Sequence, residues 1–97
     1  MQIFGKREIK KFILKHTIAK NALENWMNTV ESSDWKNHAD LKQTFPSADY
    51  VGNAKYVFNI KGNVYRIVAV VIFVGGTLSI RFIGTHEEYD KINCKNI

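Results

Sequence analysis

The sequence has one cysteine, Cys94, and one proline, Pro46, in 97 residues. A single cysteine cannot form an internal disulfide, so nothing suggests a small secreted scaffold held together by disulfides. The longest apolar run, Ile67 to Val74, is far shorter than the roughly 20 residues that cross a bilayer. Lysines and an arginine interrupt the first fifteen residues, so no signal peptide is predicted. We therefore expect a cytoplasmic protein.

Acidic residues are also scarce: 9 Asp and Glu stand against 14 Lys and Arg, for a net charge of +5 and a pI of about 9.4. This balance favours acidic or polyanionic partners, although a basic protein can simply be soluble. Hydrophobic residues make up 45% of the chain and aromatic residues 12%, as in a globular protein. The length predicts a single domain over residues 1–97.

Helical periodicity is found in the N-terminal half, after a possible short strand at Met1–Phe4. Ile9, Phe12 and Ile13 recur at helical spacing, with lysines on the other side. A second apolar stripe is wider and contains Ala19, Ala22, Leu23, Trp26, Met27 and Val30. Thr17 is a plausible N-cap for this helix, and Asn37 for a short third helix that ends before Pro46.

From Ala48 the apolar period changes to two, which predicts strands. Gly62-Asn63 and Gly75-Gly76 are typical of two-residue hairpin loops. The first loop pairs Ile60 with Tyr65 and Asn59 with Arg66, and the second pairs Ala69 with Phe82. The predicted fold is α+β, with N-terminal helices packed on one face of an antiparallel sheet and a short C-terminal helical turn.

This register sorts the strand residues onto two faces. The expected core face holds Tyr56, Phe58, Ile60, Tyr65, Ile67, Val71, Phe73, Leu78, Ile80 and Phe82. The expected open face holds Lys55, Asn59, Lys61, Arg66, Arg81 and Thr85 around Val57, Val68 and Val70. One face would therefore pack against the helices, and the other would meet an anion.

His86, Tyr89 and Asp90 share one side of a helical turn if residues 87–91 are helical. An imidazole and a phenol beside cationic groups suit general acid–base cleavage of a phosphodiester. The alternative is a structural turn in which His86 caps the helix and Tyr89 packs on the sheet. Arg66, in an otherwise apolar strand, needs a partner. That partner is either Asp90 or Glu87 in a salt bridge, or a phosphate.

Other candidate groups give weaker signals. His16, His38, His86 and Cys94 have no metal-ligand spacing, so no metal site is predicted. Trp26 lies on a helical stripe and is expected in the core, whereas Trp35 lies in a loop where it could stack on a base. The lysine-rich first helix is interpreted mainly as a solvated face.

Two long sequence segments resemble a known protein family. The segment from Val57 to Arg66 and the segment from Arg81 to Ile92, together with Asp34-Trp35-Lys36 and Tyr50, resemble the HigB toxin family. The resemblance implies a RelE-like fold and the toxic half of a type II toxin–antitoxin pair. It implies an mRNA interferase that acts without a metal or cofactor, generally on the translating ribosome. It also implies neutralisation by a HigA-type antitoxin, whose helix-turn-helix region would bind operator DNA.

The resemblance also implies site residues. The expected catalytic residues are His86, Tyr89, Arg66, Lys61 and Arg81. Independently of the resemblance, the expected RNA-binding residues are Lys55, Asn59, Asp90, Lys91 and Trp35. The alternative function is a non-catalytic RNA-binding or protein-docking module that uses the same basic face.

Overall fold

The computed structural model describes residues 1–92 and 97, so Cys94 lies outside the described residues. The elements in chain order are β1 (Gln2–Phe4), α1 (Lys6–Lys15), a 3₁₀ turn (Thr17–Ala19), α2 (Lys20–Ser32), α3 (His38–Thr44), β2 (Asp49–Gly52), β3 (Lys55–Ile60), β4 (Tyr65–Ile72), β5 (Thr77–Thr85) and α4 (His86–Asp90). The predicted α+β class is confirmed. In the part of the chain that is described, no helix is long and apolar enough to span a membrane.

The five strands form one sheet in the order β1-β5-β4-β3-β2. Strands β2 to β5 are an antiparallel meander, as predicted. Strand β1 pairs in parallel with β5, with Ile3 opposite Leu78. The sheet is therefore mixed: the predicted antiparallel strands are confirmed, and β1 adds a parallel edge strand whose pairing the sequence did not predict. The helices between β1 and β2 carry the chain across the sheet, which lets β1 join the far edge in parallel.

The helices follow the apolar stripes of the sequence. Ile9 and Phe12 of α1 are buried, and α2 buries its stripe at Leu23, Trp26, Met27 and Val30. Asn37 caps α3 as predicted, since its side-chain oxygen accepts the Asp40 N–H at 3.0 Å. The cap predicted at Thr17 was wrong, because Thr17 begins the 3₁₀ turn and α2 starts only at Lys20 without a side-chain cap.

The main core lies between these helices and one face of the sheet. The sheet contributes the buried residues Tyr56, Phe58, Ile60, Tyr65, Ile67, Ala69, Val71 and Leu78, with Phe73 and Ile80 packed against them. Trp26 meets Phe58 edge to face, at 5.3 Å between ring centroids. The predicted core face is therefore confirmed for the residues named here.

The β3–β4 hairpin has the predicted register. Ile60 lies opposite Tyr65, Asn59 opposite Arg66 and Phe58 opposite Ile67. The loop between them closes through the Val64 N–H, which donates to the Lys61 carbonyl at 3.3 Å.

The β4–β5 hairpin differs from the prediction. The loop over residues 73–76 has the same length as the loop over residues 61–64, but it is centred one residue earlier than Gly75-Gly76. Val71 therefore lies opposite Leu78 and Ala69 opposite Ile80. The register then shifts, and Val68 lies opposite Phe82. A bulge inserts one extra residue and moves the following side chains to the other face. Phe82 therefore lies on the face opposite the main core, contrary to the prediction.

Candidate active site

Helix α4 is short, and a capping box defines where it begins. The Thr85 hydroxyl accepts the Glu88 N–H at 3.2 Å, and the Glu88 carboxylate accepts the Thr85 N–H at 2.8 Å. The His86 N–H donates to the Val64 carbonyl at 3.1 Å, which ties the helix to the β3–β4 loop. The cap is thus Thr85 and not His86, so the His86 side chain is left for other contacts.

His86 and Asp90 form a pair on one side of α4. The His86 Nδ1 lies 3.1 Å from an Asp90 carboxylate oxygen, and the two side chains are 44% and 58% exposed. A carboxylate on Nδ1 holds the imidazole in one orientation and leaves Nε2 as the nitrogen available to a substrate. Asp90, expected as an RNA contact, is therefore placed beside the imidazole.

Tyr89 lies beneath Arg66. The guanidinium carbon is 4.7 Å from the centre of the Tyr89 ring, which is a cation–π contact. Arg66 is half-buried, and its Nε has no hydrogen-bond partner. No carboxylate among the described residues forms a salt bridge with Arg66, so the pairing with Asp90 or Glu87 considered from the sequence is not found there. A half-buried guanidinium that forms no salt bridge with the described carboxylates is suited to an anionic ligand.

Gly84 makes room for this arrangement. Gly84 is the β5 partner of Arg66 and belongs to the same row of the sheet. A Cβ at position 84 would lie 2.6 Å from the tip of the Phe82 ring and 3.0 Å from a Glu88 carboxylate oxygen. The bulge that turned Phe82 onto this face thus makes a glycine necessary. Sequence reasoning missed this role, although a glycine inside a strand is a recognised sign of close packing.

The predicted open face is partly covered. Val57 and Val68 are 2% and 0% exposed although they lie outside the main core cluster. Lys55, expected to bind RNA, is 9% exposed and is buried for most of its length. Asn59 donates from its side-chain amide to the Ser47 carbonyl at 3.1 Å, and its Oδ1 is buried without a partner. This mixed, basic face is therefore less open than the sequence predicted.

Lys61 and Arg81 lie at the margins of the site. Lys61 is exposed in the β3–β4 loop and borders a depression formed with Trp26 and Thr29. Arg81 is exposed at the bulge and borders a shallow depression that includes Glu8 of α1. It precedes Gly84 by three residues, or about 10 Å of extended strand. The structure thus gathers Arg66, His86, Tyr89 and Asp90 and leaves these two cations outside that group.

The remaining expected RNA contacts are Lys91 and Trp35. Lys91 is exposed directly after α4. Trp35 is 3% exposed, and its indole N–H donates to the Thr44 hydroxyl at 2.9 Å. Stacking on a base was therefore a wrong prediction for Trp35, because its ring faces are in the core. Within residues 1–92 and 97, no three His, Cys, Asp or Glu side chains are grouped as a metal site.

Comparison with known protein families identifies a match over most of the chain. The sequence model of the HigB toxin family matches residues 19–92. This family is described as the RelE-like toxic component of a toxin–antitoxin system.

This chain belongs to the HigB toxin family.

The chain is 36% identical to the mRNA interferase toxin HigB of Escherichia coli K12 over 93 residues, which cover 93% of this chain and 88% of that protein. It is 27% identical to the mRNA interferase HigB of Escherichia coli O6:H1, over 95% of this chain and 91% of that protein. The HigB resemblance drawn from the sequence is confirmed, and the α+β architecture agrees with the RelE-like fold that it implied. As the toxic component of such a system, the chain has an antitoxin as its partner.

Proposed function

We propose that this chain is an mRNA interferase, a toxin that cleaves mRNA and is neutralised by its antitoxin. Relatives of similar length carry this name. The observation that supports the proposal best is the group at the start of α4. It places Arg66 over Tyr89 at 4.7 Å and Asp90 against His86 at 3.1 Å. Together these residues supply a cation, a phenol and an oriented imidazole, which suit acid–base cleavage of a phosphodiester.

The proposed reaction uses the RNA 2′-hydroxyl as the nucleophile. His86 Nε2 takes the proton from this hydroxyl, because the Asp90 carboxylate can stabilise the imidazolium that forms. The 2′-oxygen attacks the adjacent phosphorus, and the bond to the 5′-oxygen of the next nucleotide breaks. Tyr89 donates its proton to that leaving oxygen. The products are a 2′,3′-cyclic phosphate and a 5′-hydroxyl end.

Arg66 has the electrostatic role in this proposal. Negative charge grows on the phosphoryl oxygens in the transition state, and a guanidinium fixed by a ring beneath it is already oriented toward that charge. Lys61, Arg81 and Lys91 are exposed and would hold neighbouring RNA phosphates, which adds affinity without sequence preference. Asn59 lies opposite Arg66 and has the smaller role of fixing the strand beside it, whereas Lys55 lies opposite Val70, further along the sheet.

The family resemblance supports a more specific setting for the reaction. The antitoxin would be of the HigA type, with a helix-turn-helix region that binds operator DNA on behalf of the complex. The RNA would be cut on translating ribosomes in the cytoplasm. The proposal assigns each proton transfer to a side chain and does not require a metal ion or cofactor.

The test is cleavage of a message in a cell-free translation extract, read by primer extension. Wild type should produce new RNA ends, and His86→Ala should lose at least 100-fold in cleavage rate. His16→Gln is the matched control, because His16 packs against Phe12 at 4.2 Å between ring centroids and has no place in the proposed reaction. Equal cleavage by wild type and His86→Ala would refute the assigned site. Intact RNA with salt-dependent binding would instead indicate a non-catalytic RNA-binding module.

A further inference from the structure

A second cavity lies at the opposite end of the sheet. It has a volume of about 410 Å³ and is lined by His38, Tyr50, Ala54, Tyr56, Val71 and Phe73. Tyr56 and Val71 belong to the main core, so the cavity is on the helix-covered side. Val71 is five residues beyond Arg66 on β4, which is about 16 Å of extended strand. The proposed cleavage reaction uses none of these residues.

The polar atoms of this aromatic pocket bond to one another. The His38 Nδ1 and the Tyr56 hydroxyl are 2.7 Å apart, and the Tyr50 hydroxyl accepts the Ala54 N–H at 3.4 Å. The rings of Tyr50 and Tyr56 are 5.1 Å apart, and those of Tyr56 and Phe73 are 6.4 Å apart and nearly perpendicular. The pocket therefore presents ring faces and methyl groups, which suit an apolar or aromatic group.

A strained turn forms one wall of the pocket. Asn53 and Ala54 have φ values of +52° and +62° in the loop between β2 and β3. Alanine rarely adopts this left-handed conformation, and asparagine followed by glycine is the usual pair in such a turn. Ala54 carries a methyl group into the pocket, which a glycine would not provide. Backbone strain held in place beside a cavity is a recognised pointer to a binding site.

The charge around the pocket does not suit RNA. No Lys, Arg, Asp or Glu is among the lining residues. The segment that supplies four of the six lining residues, 34–56, contains three Asp and three Lys, for no net charge. Helix α1, by comparison, carries five cations and one glutamate. An RNA base bound in the pocket would lie where no excess of cations is present to neutralise its phosphates.

We propose that the aromatic pocket anchors an apolar or aromatic side chain of the antitoxin. Membership of the HigB family gives the chain a protein partner, and the pocket's lining matches the centre of a protein interface. Tyr50 is 54% exposed and forms the accessible wall. This inference does not depend on which residues catalyse cleavage, because it concerns the binding of antitoxin alone.

The test is the affinity of the purified chain for its cognate antitoxin. Tyr50→Glu places a charge in the pocket and should weaken binding at least 10-fold, mainly through faster dissociation. His38→Ala opens the pocket from the other side and should also weaken binding. Leu14→Glu is the matched control: Leu14 is an apolar side chain that is 80% exposed on α1, away from the pocket. This control should bind antitoxin as wild type does.

Three outcomes would overturn the proposal. The first is unchanged antitoxin affinity in both pocket variants. The second is loss of RNA cleavage with unchanged antitoxin affinity, which would make RNA the occupant. The third is concentration-dependent self-association that Tyr50→Glu abolishes, which would make a second copy the occupant. If Tyr50→Glu fails to fold, NMR of the wild-type chain is the deciding measurement. Adding antitoxin should shift the methyl resonance of Ala54, which lines the pocket, and an unchanged resonance would overturn the proposal.

Discussion

The two ends of the sheet differ in how their polar groups are satisfied. At the α4 end, Arg66 has a buried Nε without a partner and no carboxylate among the described residues. In the aromatic pocket, the imidazole of His38 and the hydroxyls of Tyr50 and Tyr56 are bonded within the pocket. A group left unpaired at a folding cost is one that a ligand can complete. Polar groups that already form hydrogen bonds with one another leave only shape and apolar area for binding a partner.

We propose that the two ends of the sheet have separate tasks in one small domain. The α4 end has the charge that phosphoryl chemistry needs, and the pocket has the uncharged surface that protein recognition favours. The two ends therefore should respond independently to mutation, since sites this far apart usually act additively. The following predictions test that independence, beginning with the largest effect.

Arg66→Ala should reduce RNA cleavage by about 10²- to 10³-fold, because it removes the charge that stabilises the transition state. Antitoxin affinity should change by less than about 2-fold. Arg7→Ala removes an exposed arginine of α1 and serves as the control. Arg66→Lys should recover only part of the rate, because an ammonium cannot stack flat on Tyr89. Comparable losses of cleavage and antitoxin affinity in Arg66→Ala would contradict the separation.

Asp90→Asn should lower cleavage by about 10-fold, because an amide holds the His86 imidazole less firmly and stabilises its protonated form less. Glu87→Gln changes the charge by the same amount on the same helix, where Glu87 is exposed. Initial rates on a defined RNA would compare the two variants. If Glu87→Gln lost as much activity as Asp90→Asn, the effect would be general electrostatics and not orientation of the imidazole.

Tyr56→Phe should cost about 1 kcal/mol of stability at neutral pH, because it removes the hydrogen bond to His38. It should leave cleavage unchanged. Burial, with a smaller contribution from nearby Tyr50, raises the pKa of Tyr56 above its ordinary 10.0.

The raised pKa also predicts a dependence on pH. Above pH 10, the unfolded Tyr56 loses its proton before the folded one does, so wild-type stability should fall as pH rises. Tyr56→Phe should lack this component of the alkaline decline. Urea unfolding at pH 7 and above pH 10 would measure it. Parallel declines in the two proteins would show that Tyr56 does not contribute.

Ala54→Gly should raise stability by roughly 0.5–1 kcal/mol, because glycine adopts a positive φ without the cost that alanine bears. It should also weaken antitoxin binding slightly, since the pocket loses a methyl group. Ala39→Gly is the opposite control: Ala39 is exposed in α3, where glycine should cost roughly 1 kcal/mol. Thermal unfolding of both variants would show whether Ala54→Gly is stabilised and Ala39→Gly destabilised relative to wild type. A destabilised Ala54→Gly would mean that the turn stores no strain.

The sequence was sufficient for the β3–β4 hairpin but not for the β4–β5 hairpin. In the first, strict alternation and one Gly-Asn pair determine the register, and Asn59 lies opposite Arg66 as predicted. In the second, β4 is apolar on both faces, so alternation gives little information about register. The bulge at Arg81 moves the side chains that follow it to the other face of the sheet. No local residue pattern predicts this bulge. That bulge explains the wrong placement of Phe82.

The sequence predicted which residues lie together in the candidate site, but it did not predict all of their contacts. His86, Tyr89 and Asp90 were placed together by helical spacing, and Arg66 by strand register. The cation–π contact between Arg66 and Tyr89 depends on how α4 folds back over the sheet, which spacing alone does not define. Trp35 was misjudged because it lies outside any periodic segment, and its burial depends on a distant hydroxyl at Thr44.

The parallel pairing of β1 with β5 has a consequence for synthesis. Strand β5 lies between β1 and β4, so the first strand has no sheet neighbour until residues 77–79 have been made. Helix α4, with its imidazole and phenol, emerges later still. During translation the growing chain therefore holds an unfinished sheet and no assembled site, since long-range pairing must wait for its last member. The proposed cleavage site can therefore assemble only after the final strand has joined the sheet and α4 has followed it.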